Sequence, residues 1–513
     1  MNGQSFLKGA IIISVGGFIA KLLGAIYRIP LTNVLGGEGM GIYQMVYPLY
    51  CLLLTVSATG IPSGLAREIS HARARGDESR VRGVFLRSLA LFSALGLIGF
   101  AAMLFLAPIM SRVQSEPTAQ ASYVMLAPSV FFVSVISCFR GYYQGKSNFT
   151  PTAVSEILEQ AVKVGLGLYF AYRYRGDVQT AVSYTLFAVT LSEIAALLFM
   201  IAYHFIAGKQ PHKPLYRPIS SDVKNTALLK VTVPVTIAAS ILPLSNILDS
   251  ILIVRMLSRY ANNATSLYGI YAGGANTVIN LPVSVCYGLA AAIIPTIAAM
   301  YAVGNVQGAE KRAAFALKCT FFISVPSAAF LLVYAEPTAR FIFRSIGGAE
   351  GEAMVRLIRY MAVSAIFLSC VQTLAACLTG KGKPKISAIA MGIAVAVKLG
   401  LEFWLLRYEK ISILGAAISS GACYLVALSI DLYYIIRDKK NLGKVLLDFI
   451  RIACISAAAV GAAFPLRHMG ALPILGVCAG VYLALTLLTG VFSRDELSIF
   501  QRRKHGKYRR SGN

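Results

Sequence analysis

Lys21 and Arg28 stand seven residues apart in an otherwise apolar stretch, so a helix through them sets both cations close to one face. Gly16, Gly17 and Gly24 leave room there for a neighbouring helix. Two cations at bilayer depth suit an anion, and a guanidinium grips phosphate oxygens in bidentate fashion. Arg255 is a third candidate for the same pyrophosphate-sized anion. The plainer alternative pairs Lys21 internally and lets Arg28 reach the outer surface along its stem. Glu159 and Lys163 lie at the i,i+4 spacing of mutual neutralisation, with Glu156 and Gln160 beside them, and Lys398 and Glu402 repeat that spacing. Such pairs either hold helices together or line a polar cavity or portal. Asn246 and Asp249 in one stretch, and Asn276 and Asn280 near Pro282 in the next, form the cluster best suited to ion sensing. Asp249 could bind Na+ or exchange a proton there, while Asn276 and Asn280 offer neutral oxygens or hydrogen bonds to sugar. Glu193 and Asp431 are candidates for structural salt bridges. A charge at such depth costs a few kcal/mol or more, so each of these residues calls for a partner or a watery cavity.

The elements that must position them are membrane helices. The 513 residues are 57% hydrophobic and 14% charged, with mean hydropathy +0.67, which excludes an ordinary soluble globule. Roughly fourteen apolar stretches of about 18 to 25 residues are each long enough to cross a bilayer. They begin near Ile11, Tyr43, Val84, Tyr123, Thr152, Ala181, Ala227, Ser266, Ala313, Met354, Ile386, Ile411, Leu446 and Ala471. The first is too long for a secretory leader and is expected to remain as helix one. The net charge of +26 raises the question of nucleic acid, but its distribution answers it. With a cytoplasmic amino terminus, inside loops hold roughly 29 Lys and Arg against roughly 11 outside, as the positive-inside rule requires. An even helix count returns the carboxyl terminus to the cytoplasm, where Arg502 to Arg510 would lie against anionic headgroups. Nine scattered cysteines without a CxxC pair support neither a disulfide framework nor a metal site.

The chain also repeats itself. VKVGL at Val162 to Leu166 returns as VKLGL at Val397 to Leu401, Gly145-Lys146 as Gly380-Lys381, and Gly41-Ile42-Tyr43 as Gly269-Ile270-Tyr271. Duplicated apolar halves of six helices each enter the membrane from the same side, giving a parallel repeat with a substrate path between the halves. We therefore expect an all-α integral membrane protein: residues 1–208 as an amino-terminal lobe of helices one to six, 209–225 as a cytoplasmic linker, and 226–437 as a second lobe of helices seven to twelve. Two further helices over 438–493 and a basic tail over 494–513 complete it. Prolines at membrane depth, including Pro48, Pro128, Pro282, Pro295 and Pro326, would bend their helices.

AKLLGAIYRIPLTNVLGGEGMGIYQMVYPLY from Ala20 to Tyr50, RGYYQGKSNFTPTAVSEILEQ from Arg140 to Gln160, and SHARARGDESRVR from Ser70 to Arg82 resemble exporters of the polysaccharide-biosynthesis, stage V sporulation protein B type. In the second segment Thr150 is placed to cap a helix and Pro151 to fill its first turn. The resemblance covers the whole chain and extends to the superfamily of multidrug, oligosaccharidyl-lipid and polysaccharide exporters. It implies a V-shaped two-lobed protein of the bacterial plasma membrane that flips undecaprenyl-pyrophosphate-linked saccharides, lipid II among them, by alternating access. It also implies that Lys21 holds the cationic position of helix one in the central cavity. Where lipid II flippases carry an acidic-arginine pair at the start of helix eight, this chain has Gly273, Gly274, Ala275 and Asn276. The cycle would be driven by Na+, H+ or membrane potential, with no cofactor and no bound nucleic acid. Membrane lipids surround it, and cell-wall synthesis machinery is a further partner class. The rivals are a cation-coupled multidrug antiporter of the same superfamily, a membrane-embedded glycan polymerase or ligase, and a structural scaffold. The short outside loops, with charge density only from Glu336 to Glu352, speak against an enzyme.

Overall fold

A computed structural model describes residues 3–59, 61–207, 225–436 and 439–492, and the linker and the basic tail fall outside them. The described residues are helical apart from short connections: α1 (Gly3–Leu54), α2 (Ile61–Ala74), α3 (Glu78–Val113), α4 (Ala119–Gly145), α5 (Thr150–Arg173), α6 (Val178–Ala207), α7 (Asn225–Leu257) and α8 (Ala264–Gly269). There follow α9 (Asn276–Ala302), α10 (Val306–Val333), α11 (Ala335–Ile342), α12 (Gly348–Gly380), α13 (Pro384–Leu405), α14 (Leu414–Ile435), α15 (Lys439–Ala462) and α16 (Ala471–Thr489). Twelve stretches among the described residues are long and apolar enough to cross a membrane. The first of these, Ile26–Ser57, covers expected helix two and the end of helix one, most of whose side chains lie outside the described residues; both belong to α1, which breaks at Gly36 (φ 68, ψ −172), a conformation open essentially to glycine. Helix five is absent from the twelve because Glu156, Glu159 and Lys163 interrupt its apolar run, although the 24 residues of α5 suffice for a crossing.

Lipid explains the outer surface. Phe105 and Leu487 are 73% and 82% exposed, an arrangement that water would penalise and acyl chains accept. Inside, Tyr27, Leu31, Met40, Tyr123 and Leu126 belong to a core built by α1 and α3 to α7, and Tyr271, Met354, Leu357 and Ala416 to another built by α1, α7 to α12 and α14 to α16. Pro48, Pro128, Pro282, Pro295 and Pro326 all sit inside helices that continue past them, whereas the sharp break in α1 is at glycine. Thr150 is already in the first turn of α5 and makes no capping bond; Pro151 does occupy the start of that helix. Two π-helical turns, Thr55–Thr59 and Ile270–Ala275, re-aim the helices that contain them.

The sequence repeats are repeats of packing. At the end of α4 a side-chain carbon on Gly141 would stand 2.8 Å from Pro62 Cα, and one on Gly145 would stand 2.7 Å from Ile69 Cβ. At the end of α12 one on Gly380 would stand 2.8 Å from the Ile294 carbonyl and 2.9 Å from Ile297 Cβ. The third repeated glycine works between the halves. Gly41 and Gly269 face each other where α1 crosses α8, and a side-chain carbon on Gly269 would reach Gly41 Cα at 2.9 Å and collide with the Gly37 carbonyl. Around this crossing Gln44 Nε2 donates to Ala272 O (3.3 Å), Asn33 Nδ2 to Ile342 O (2.7 Å) and Ser266 Oγ to Glu350 (2.5 Å). Thr265 Oγ1 donates to Glu116 (2.7 Å) and Gln114 Nε2 to Ser250 Oγ (2.9 Å). These contacts seal one end of the molecule.

Gly269→Val should hold that end apart. In a background with the nine native cysteines replaced, a cysteine at the buried Met40 should react with a membrane-impermeant maleimide about tenfold faster in the valine variant, a population shift of about 1.4 kcal/mol. Equal labelling would show that the glycine crossing does not control closure.

Candidate functional site

Three helices run away from the seal and carry the site with them. From Asn33 back to Arg28 and Gly24 on α1 is about 8 and 13 Å at helical rise. Tyr43 and Tyr47 follow Gly41, and Thr277, Asn280 and Ser284 follow Gly269, in the same direction. With Gln160 and Lys163 of α5 they line a cavity of about 350 Å³ between the halves. Lys163 Nζ lies 3.4 Å from Tyr47 Oη and 5.5 Å from the centre of its ring, which stacks on Tyr43 at 5.5 Å. Gly24 lets α5 approach so closely that an added side-chain carbon would be 3.5 Å from Gln160 Oε1. That oxygen is buried without a hydrogen-bond donor. Opposite, Asn280 Nδ2 donates to Asn276 O (2.8 Å) and Oδ1 (3.0 Å), and Ser284 Oγ donates to Asn280 O (2.7 Å). Arg28, Lys163 and Asn280 of the expected site thus share one cavity, and Asn276 orients Asn280 from behind.

A second chamber of about 270 Å³ adjoins through Tyr47 and Lys163, which line both. It contains Arg140, Glu156, Glu159 and Glu193. Here the expected Glu159–Lys163 pairing is corrected. Glu159 turns across to α4, where Arg140 Nη2 meets its Oε2 at 2.9 Å while Arg140 Nε donates to Ser155 Oγ (3.0 Å). A guanidinium that bonds two groups on the neighbouring helix outcompetes a lysine on the same helix for the carboxylate. Lys163 is thereby turned toward Tyr47 and the first cavity. Glu193 accepts from Tyr50 Oη (3.3 Å) and Asp431 from Ser387 Oγ (3.0 Å), hydroxyl contacts where salt bridges were expected.

The second half holds a buried triad. Lys398 Nζ bonds Asp249 Oδ2 and lies 3.7 Å from Glu402 Oε1, with all three side chains nearly inaccessible. The expected Lys398–Glu402 spacing does bring that pair together, but Asp249, expected as an open ion-exchanging carboxylate, is engaged by Lys398. Asp249 Oδ1 and both Glu402 oxygens retain no hydrogen-bond donor. Arg255 is corrected outright: it is exposed in the last turn of α7 and lines neither chamber. Asn246 is likewise exposed. Lys21 belongs to α1, and its side chain lies outside the described residues. The sequence reading missed Arg140 as a site residue, although an arginine in the apolar run of α4 was the available signal. It also missed the tyrosine wall, because Tyr43 and Tyr47 look like ordinary core residues.

The chain's relationships follow the same lines. The polysaccharide biosynthesis protein profile matches residues 6–301, more than half of the sequence. The chain belongs to the polysaccharide biosynthesis protein family. A MatE profile matches residues 234–404. Stage V sporulation protein B of Bacillus subtilis (strain 168) is 27% identical over 429 residues, covering 82% of this chain and 81% of that protein. Lipid II flippase MurJ of the same organism is 23% identical over 460 residues, covering 86% and 84%. Among solved structures, lipid II flippase MurJ in an inward closed conformation superposes with TM-score 0.70 at 15% identity, over 95% of this chain and 100% of that one. An inward-facing multidrug resistance MATE family transporter of the MOP superfamily also gives 0.70, at 18% identity over 86% and 98%. This member of the family is thus a multi-pass helical membrane protein with the fold of the MATE and MurJ structures.

Lys398→Met leaves two carboxylates in a dry site, and its unfolding free energy should fall by about 3–5 kcal/mol. The double variant Lys398→Met/Asp249→Leu should recover part of that loss. Thermal unfolding in detergent measures both, and a Lys398→Met midpoint equal to that of the parent would rule out the triad as a structural clamp.

Proposed function

We propose that this transporter flips a polyprenyl-diphosphate-linked saccharide across the bacterial plasma membrane. The observation that carries the reading is the meeting of Arg28 and Lys163 from the first half with Asn280 and Ser284 from the second in one cavity beneath a sealed end. The two cations take diphosphate oxygens, Arg28 as a fork and Lys163 as a point charge. Asn280, Ser284 and the unpartnered oxygen of Gln160 supply donors and acceptors at sugar-hydroxyl spacing. A cavity of about 350 Å³ takes a diphosphate and its first sugar, so a larger glycan requires the halves to part further. Residues 1–208 and 226–437 act as the two rocking lobes, with both termini in the cytoplasm and Lys21 extending the cationic face of helix one. The lysine-centred triad couples the cycle to H+ or Na+ by exchanging its internal cation. The names of the two bacterial relatives, one a lipid II flippase and one a sporulation protein, support a cell-wall precursor as substrate.

Glu156, Glu159 and Glu193 in the adjoining chamber favour a second reading, exchange of an organic cation against protons or Na+. Two assays separate them. In cells depleted of their resident lipid II flippase, this chain should restore outward exposure of lipid II, and Arg28→Gln/Lys163→Gln should lower that exposure about tenfold or more at equal expression, the loss of two charge-assisted contacts. Rescue that ignores both substitutions, together with acquired resistance to cationic drugs, would establish the second reading instead.

A further inference from the structure

The end that is sealed carries a charged basin that the transport path does not use. On the two sides of α11 lie depressions of about 690 and 660 Å³ that share Glu336, Arg340 and Arg359. Together their walls bring in Arg340, Arg344, Arg356, Arg359 and Arg467 against two carboxylates, Glu336 and Glu352. Of these five arginines only Arg340 has a carboxylate within ion-pair distance among the described residues, Glu336 at 2.6 Å. Arg344 and Arg467 rest on Phe341 and Phe464, with guanidinium carbons 5.7 and 4.8 Å from the ring centres. A cluster of like charges held this close costs self-repulsion, and a multiply charged anion relieves it. One wall is Gly347, Gly348 and Gly351, where α12 starts without a side-chain cap, so bare glycine backbone faces the same space. The other wall is apolar: Phe341 of α11, with Phe464 and Met469 of the connection between α15 and α16, are all exposed.

We propose that this basin is a phosphate-recognition site on the sealed face, distinct from the cavity of Arg28 and Lys163. It takes a di- or polyphosphate group, because three guanidiniums line one depression and four the other, Arg340 and Arg359 common to both, and several forked donors suit the several oxygens of such a group. The flanking aromatic rings admit a headgroup whose tail remains in lipid, while a soluble polyphosphate satisfies the same arginines. The site adjoins the seal, since Phe343, Arg344 and Ile346 of its lining are chain neighbours of Ile342 and Ser345, the partners of Asn33. Nothing in this reading depends on what the central cavity carries.

The test uses the full-length protein in phosphatidylcholine nanodiscs, with inorganic pyrophosphate as the probe in calorimetry. Arg356→Gln/Arg359→Gln should weaken pyrophosphate binding about tenfold or more, the expected loss of two charge-assisted contacts. All of these titrations are made in an Arg28→Gln/Lys163→Gln background, which silences the central cavity so that the heat reports the sealed face alone. A second pair, Arg344→Gln/Arg467→Gln, guards against a misfolded first pair and should weaken binding in the same sense. Farnesyl diphosphate binding about tenfold tighter than pyrophosphate, with the advantage lost in Phe464→Ala, would assign the group to a lipid headgroup; equal affinities would assign it to a soluble phosphate. No pyrophosphate binding at millimolar concentration, or binding unmoved by both arginine pairs, would overturn the site.

Discussion

Backbone meets backbone where Gly41 crosses Gly269, and the rest of the architecture is arranged around that contact. Side chains at such a crossing would push the helices apart by several ångströms, since interaxial separation follows the residues at the contact point. Because α1 and α8 touch there, Arg28 and Asn280 lie on opposite walls of a narrow cavity instead of in separate lipid-facing grooves. The hydrogen bonds of Asn33, Gln44, Gln114 and Ser266 then have short distances to bridge. The glycines belong to the internal repeat, so the two halves meet through corresponding parts of themselves.

Polar groups at membrane depth are handled in two different ways. In the second half one lysine is held between two carboxylates in a dry site, bonded to Asp249 with Glu402 beside it. In the first half Arg140 binds Glu159 and releases Lys163 toward an accessible cavity. Corresponding lysines, Lys163 and Lys398, thus end in opposite situations, one facing a cavity and one clamped. The difference comes from the neighbouring helix: α4 offers an arginine, whereas α7 offers an aspartate.

Much of this was legible in the chain itself. Hydropathy marked the helices, the duplicated VKVGL and Gly-Ile-Tyr segments marked corresponding parts, and isolated charges marked Arg28, Lys163, Lys398 and Asp249 as residues with work to do. The partners were less legible. Spacing of four along a helix suggests Glu159 with Lys163, but the actual partner, Arg140, lies on α4, and Lys398 finds Asp249 across 149 residues. Such choices depend on which helix faces which and at what height, and no local pattern encodes that. Arg255 misled because an arginine near the end of an apolar stretch is equally at home inside a cavity or at a membrane border.

Tyr47 and Lys163 form a party wall between the two chambers. The thickness of one phenol ring separates whatever occupies the tyrosine-lined side from the carboxylates on the other. At that range in a medium of low permittivity, electrostatic insulation is poor. Charge arriving in one compartment is therefore felt in its neighbour, and the two must fill and empty as communicating vessels.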